Sequence, residues 1–137
     1  DHGLPLPAGL CLVSPGADMK MPEDVQKALD ADPANPFLLQ NIAFSTMYTN
    51  GHKRDEPYMS PNEGSYQGLP PMFIQTGSCD FCLEASLKCA RKASAEGVDV
   101  ALHSWEFMPH VFFLLHGIPE AEAGQRELAV FLKKVLE

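Results

Sequence analysis

No stretch of the 137 residues approaches the roughly 20 consecutive apolar residues needed to cross a bilayer, and the N-terminus lacks the basic-then-apolar pattern of a signal peptide. The chain is therefore expected to be soluble and cytoplasmic, with no membrane span. Cations are scarce too: 10 Lys and Arg stand against 18 Asp and Glu, a formal net charge of −8. Nucleic acid and anionic surfaces are gripped by clustered Lys and Arg, so neither is an expected partner. Neutral or cationic small molecules suit this charge better. The glycines form neither G-x-G-x-x-G nor a Walker loop, so no nucleotide and no other cofactor is implied. Internal repeats and low-complexity tracts are absent.

Cysteine is present but poorly placed for structural chemistry. Of Cys11, Cys79, Cys82 and Cys89, three crowd together in an otherwise ordinary globular sequence, which argues against a disulfide scaffold. Cys79-Asp80-Phe81-Cys82 is formally a C-x-x-C, yet it lacks the aromatic and proline setting of a redox helix. A zinc site would need a second ligand pair, and none lies at suitable spacing. The expectation is buried small hydrophobes and no metal.

What the sequence does have is a hydrophobic content of 45%, enough for one domain with a core and too little length for two. Residues 8–14 form a nearly continuous apolar run closed by Ser14-Pro15-Gly16, which predicts a parallel strand buried on both faces. A helix is expected over 21–32, with Pro22, Glu23 and Asp24 in its first turn, where the dipole favours acids. A second begins with Asn35 as cap and Pro36 as first residue, passing through Phe37, Leu38, Ile42 and Met47 towards Asn50-Gly51. Residues 51–71 turn to Gly, Pro, Asn, Ser and charge without a period, a long loop of the kind that forms a lid.

Residues 71–77 predict a second buried strand. A helix follows with Cys82, Ala85, Cys89 and Ala93 on one side, stopped by Gly97. Residues 98–105 alternate as a third strand, and a last helix over about 121–136 places Leu128, Phe131, Leu132 and Val135 inward. Such alternation predicts an α/β layer with a parallel sheet: three parallel strands with flanking helices.

In an open parallel sheet, sites form outside the carboxyl ends of the strands. Two of those ends hold a titratable pair, Asp80 after the second strand and His110 after the third. A helix from about 81 to 96 rises ~24 Å at 1.5 Å per residue. The strand over 98–105 returns ~26 Å at 3.3 Å per residue. The two loops should therefore share one rim. An Asp that bonds one imidazole nitrogen fixes the tautomer and leaves the other nitrogen as a general base. The group such a pair activates in the order Ser, acid, His is a serine on a G-x-S-x-G elbow, and neither that motif nor an HGGG-type oxyanion loop occurs here.

Leu6-Pro7-Ala8-Gly9-Leu10, Ser14-Pro15, Ser60-Pro61 and Gly68-Leu69-Pro70-Pro71-Met72-Phe73-Ile74-Gln75-Thr76-Gly77-Ser78 resemble stretches of the hormone-sensitive-lipase branch of α/β-hydrolases. So do Asp80, Ala95-Glu96-Gly97-Val98-Asp99-Val100, Trp105 and Met108-Pro109-His110-Val111-Phe112. The likeness runs in order through most of the chain. It implies the C-terminal part of an α/β-hydrolase, with Asp80 as triad acid and His110 as triad histidine of a carboxylic-ester hydrolase acting on short or medium acyl esters. The family's nucleophile and oxyanion glycines belong to its N-terminal half, and part of its cap resembles residues 19–50; here 19–66 would form the cap contribution and long loop.

The chain starts at Asp1 without an initiator Met, which fits a processed protein or a piece of a longer one. Alone it is expected to be inactive, and either to depend on the missing N-terminal half or to self-associate through the exposed edge of its first strand. The alternative is a non-catalytic binding or assembly module on the same scaffold. Bland readings suffice for other residues: His103 as a surface strand histidine; Glu120, Glu122 and Glu127 as a solvated helix face; Trp105, Phe107, Phe112 and Phe113 as core or pocket wall; and Ser78 as no nucleophile, lacking the elbow pattern.

Overall fold

Three short apolar runs, each too brief for a helix, pair side by side in the computed structural model, which describes residues 3–20, 27 and 29–137. They are β1 (Leu10–Val13), β2 (Met72–Gly77) and β3 (Val100–Trp105). All pair in parallel in the order β1-β2-β3, with Leu10 opposite Met72 and Met72 opposite Val100. The middle strand is buried at every position.

Because side chains alternate across a strand, β2 divides its residues between two layers. Met72 and Ile74 face α2 (Leu83–Ala95), packing in one cluster with Cys89, Ala90 and Ala93. Burial of an aliphatic side chain such as Ile74, which is wholly inaccessible, contributes roughly 1.5–3 kcal/mol. Phe73 and Gln75 face the last helix, α3 (Pro119–Leu136): the Phe73 and Phe131 rings lie 5.6 Å apart, and Gly124 sits against the Gln75 amide. Gly97 ends α2 at φ +87°, a backbone conformation that glycine adopts without cost.

Contacts divide the chain into two units, Asp1–Ala17 with Ser65–Glu137, and Asp18–Gly64. The second contains α1 (Pro36–Thr49) and a 3-10 turn at Pro61–Glu63. Its loop is tied by Arg54, whose guanidinium donates to the Met19 carbonyl and to the hydroxyls of Ser45 and Thr46. Most of the helix expected over 21–32 lies outside the described residues; positions 27 and 29–31 are helical.

Several expectations need correction. β1 is not buried on both faces among the described residues: Leu10, Leu12 and Val13 are half-buried and Cys11 is exposed. Cys79 is exposed as well, so only Cys82 and Cys89 behave as buried hydrophobes. On α2, Ser86 takes an inner place beside Cys89 and Ala93, since its hydroxyl is satisfied by the Cys82 carbonyl at 2.8 Å. On α3 the inner face is Ala121, Gly124 and Phe131, whereas Leu132 reaches solvent. Glu127 is no simple solvated acid; its carboxylate lies 2.7 Å from His103 Nδ1.

Candidate active site

Because the sheet is parallel, the loops leaving β1, β2 and β3 emerge at one rim. Asp80 follows β2 in a turn closed by its own N–H on the Gly77 carbonyl at 3.2 Å. The loop after β3 folds back onto the same turn. Ser78 N–H donates to the Trp105 carbonyl (2.8 Å), Cys79 N–H to the Met108 carbonyl (3.1 Å), and Phe107 N–H to Ser78 Oγ (2.7 Å). Gly77 permits this approach: a Cβ there would lie 1.9 Å from the Met108 carbonyl oxygen. Beyond His110 the chain makes a 3-10 turn, Phe112–Leu114, anchored by Phe112, which is fully buried against Trp105.

The result brings the two singled-out residues into contact, with His110 Nδ1 2.9 Å from Asp80 Oδ1. The Asp80 side chain is inaccessible, while that of His110 is 35% exposed. A carboxylate accepts only, so Nδ1 carries the proton and Nε2 keeps its lone pair. Phe81 stacks on the imidazole with ring centroids 4.3 Å apart. Asp80 also accepts the Cys82 N–H at 2.7 Å and the Thr76 hydroxyl at 3.3 Å. Such a pair can withdraw a proton through Nε2 and hold the resulting imidazolium beside a negative charge.

Burial acts most strongly on the Asp80 carboxyl and would raise its pKa. It is outweighed by hydrogen bonds from the Ser14 hydroxyl, the Cys82 N–H and His110, together with the charge of His110, and the net shift is downward. An unfolded Asp titrates near ~3.9. A depressed native value means that Asp80 stabilises the fold above that pH and loses the contribution as pH falls through the native pKa. Thermal melts of Asp80→Asn should show a lower Tm at neutral pH and a shallower decline towards acid than the native protein. Parallel curves would contradict this.

Asp80, Cys82 and His110 are the described residues whose ligand atoms come within 4.8 Å of one another. They make a poor metal centre. Two of the three are already bonded to each other, and the Cys82 thiol is pushed up to about 12 by burial and by the Asp80 charge. A thiol ligand must be deprotonated.

Sequence reasoning passed over Ser14, Phe81 and Val111. Ser14 accepts the Val111 N–H at 3.0 Å, and both residues have left-handed backbones, at φ 48° and 47°. A Ser at a strand end before Pro-Gly was the only visible signal. Ser78, weighed as a nucleophile and set aside, accepts a backbone N–H from Phe107 and neighbours the Asp80 turn.

Residues 1–114 match the alpha/beta hydrolase fold family. The chain belongs to that family. Among alpha/beta hydrolases with curated descriptions it is 29% identical to an acetyl-hydrolase of Streptomyces hygroscopicus, across 97% of this chain and 45% of that protein. Among solved structures it is similar to a hormone-sensitive lipase from a metagenome library, at 34% identity and TM-score 0.82 over 97% of this chain and 46% of that one. An esterase of the bacterial hormone-sensitive lipase family gives 30% identity and TM-score 0.84, covering 98% and 46% respectively. The chain thus spans a little under half the length of the alpha/beta hydrolases it matches, and its three parallel strands with flanking helices are part of their fold. No helix of the described residues is long and apolar enough to cross a membrane.

Proposed function

We infer that this chain is the C-terminal half of a serine carboxylic-ester hydrolase, with Asp80 as the triad acid and His110 as the triad base. The reading is carried by one geometry: a buried carboxylate holding Nδ1 of a partly exposed imidazole at 2.9 Å, at the strand-end rim of a parallel sheet. An acetyl-hydrolase and an esterase among the proteins it resembles support an ester substrate with a short acyl group such as acetyl. The serine and the oxyanion donors come from the half of the fold that precedes β1, whose outer edge receives the preceding strand. Residues 18–64 form a separate unit that displays Leu39, Phe44, Met47 and Tyr48, an apolar set suited to a cap contribution.

In the complete enzyme His110 Nε2 takes the serine proton as the hydroxyl attacks the ester carbonyl, then gives it to the departing alcohol. Water repeats the sequence on the acyl-enzyme. Residues 1–137 by themselves are expected to hydrolyse p-nitrophenyl acetate no faster than an Asp80→Ala/His110→Ala control, and to self-associate through the β1 edge. The complete reading frame is expected to be active. Turnover by residues 1–137 that is lost in the control, or a complete protein indifferent to both substitutions, would overturn this account.

A further inference from the structure

The geometry points to Ser14 as a positioning residue of the site, a hydroxyl clamp that pins the histidine loop to the end of β1; this rests on the hydrolase reading above. Ser14 lies where β1 ends, is 5% exposed, and is fixed by its own N–H, which donates to the Gln75 carbonyl of β2 at 2.7 Å. Its Oγ accepts the Val111 N–H of the histidine loop at 3.0 Å. The same hydroxyl also acts on the Asp80 carboxyl, lowering its pKa.

The backbone around this clamp is strained on both sides. Ser14 and Val111 each have positive φ, and for a β-branched residue such as Val111 that is a costly conformation, held only by what surrounds it. Val111 adjoins His110 directly. The Ser14 bond to its N–H therefore bears on where the imidazole points. The titratable groups packed around the Asp80 carboxylate are His110 and the Cys82 thiol.

The test uses the complete hydrolase. In Ser14→Ala, kcat is expected to fall by about ten- to a hundredfold with KM little changed, the scale of a small misplacement of reacting groups. The Asp80 carboxyl, followed by carbon NMR, is expected to titrate at higher pH, because a donor to its charged form is gone. Ser14→Thr restores the hydroxyl at a left-handed position that β-branched residues resist. It should lower Tm further than Ser14→Ala yet recover kcat and the Asp80 titration, a crossing that a purely structural serine would not give.

If Ser14→Thr does not fold, Val111→Gly serves instead. Glycine holds the left-handed turn unaided, so the Ser14→Ala step should cost less kcat in that background than in the native one; an equal cost sinks the clamp. Native kcat and an unchanged Asp80 titration in Ser14→Ala, beside an inactive Asp80→Asn, would overturn the clamp alone. Full activity in Asp80→Asn would overturn the hydrolase reading beneath it.

Discussion

Asp80→Asn is expected to lower kcat of the complete hydrolase by about two to three orders of magnitude while leaving its KM and its fold at neutral pH largely intact. The asparagine oxygen can still accept the Cys82 N–H that Asp80 accepts at 2.7 Å, so the turn after β2 keeps its shape. The same oxygen faces His110 Nδ1 at 2.9 Å, so the bond to the imidazole also survives. What disappears is the negative charge that steadies the imidazolium. Steady-state hydrolysis of p-nitrophenyl acetate, with circular dichroism to confirm folding, measures both parts. A variant retaining a tenth or more of native kcat would mean that the Asp80 charge does not serve His110 in catalysis.

Gly77→Ala carries the second large effect and acts on stability first. The added Cβ would lie 1.9 Å from the Met108 carbonyl oxygen and 2.5 Å from its carbonyl carbon. Both atoms belong to backbone, and neither can swing aside as a side-chain end would. The Met108 oxygen also accepts the Cys79 N–H, so moving it breaks the tie between the acid loop and the histidine loop. Overpacking of this kind costs about 3 kcal/mol. His110 stands two residues beyond Met108, and a displacement of about 1 Å at a reacting group can cost about a hundredfold in rate. Denaturant unfolding and kcat together should therefore both fall. A Gly77→Ala protein with native stability and native kcat would show that the two loops do not need this close approach.

Much of the fold was legible because it depends on local pattern. Brief continuous apolar runs closed by Gly or Pro place β1 and β2, and alternation over 98–105 places β3, all within two residues of their observed ends; Pro36 and Gly97 punctuate α1 and α2 as their backbone chemistry requires. That Asp80 and His110 would share a rim followed from a helix and a strand of nearly equal length, and the structure brings them together. What stayed hidden depends on partners far away in sequence. The hydroxyl of Ser14 meets an amide at position 111, and no property of Ser-Pro-Gly announces it. The left-handed backbones of Phe107 and Val111 run against residue type, since aromatic and β-branched side chains are the least expected there. The apolar run around Cys11 suits a central strand, whereas the Cys11 side chain is exposed. Helical periodicity makes Glu127 a solvated acid because it cannot see a histidine on a neighbouring strand.

The parallel pairing of β1 with β2 has a kinetic consequence. Before Leu10 can find Met72, the chain must close over everything from Ser14 to Pro71, a large loop whose entropy is lost before any ladder bond repays it. The rim residues inherit that delay. Refolding should recover far-ultraviolet helix signal early, from the locally connected β2-α2-β3 segment, and the Ser14–Val111 bond only when the first strand docks.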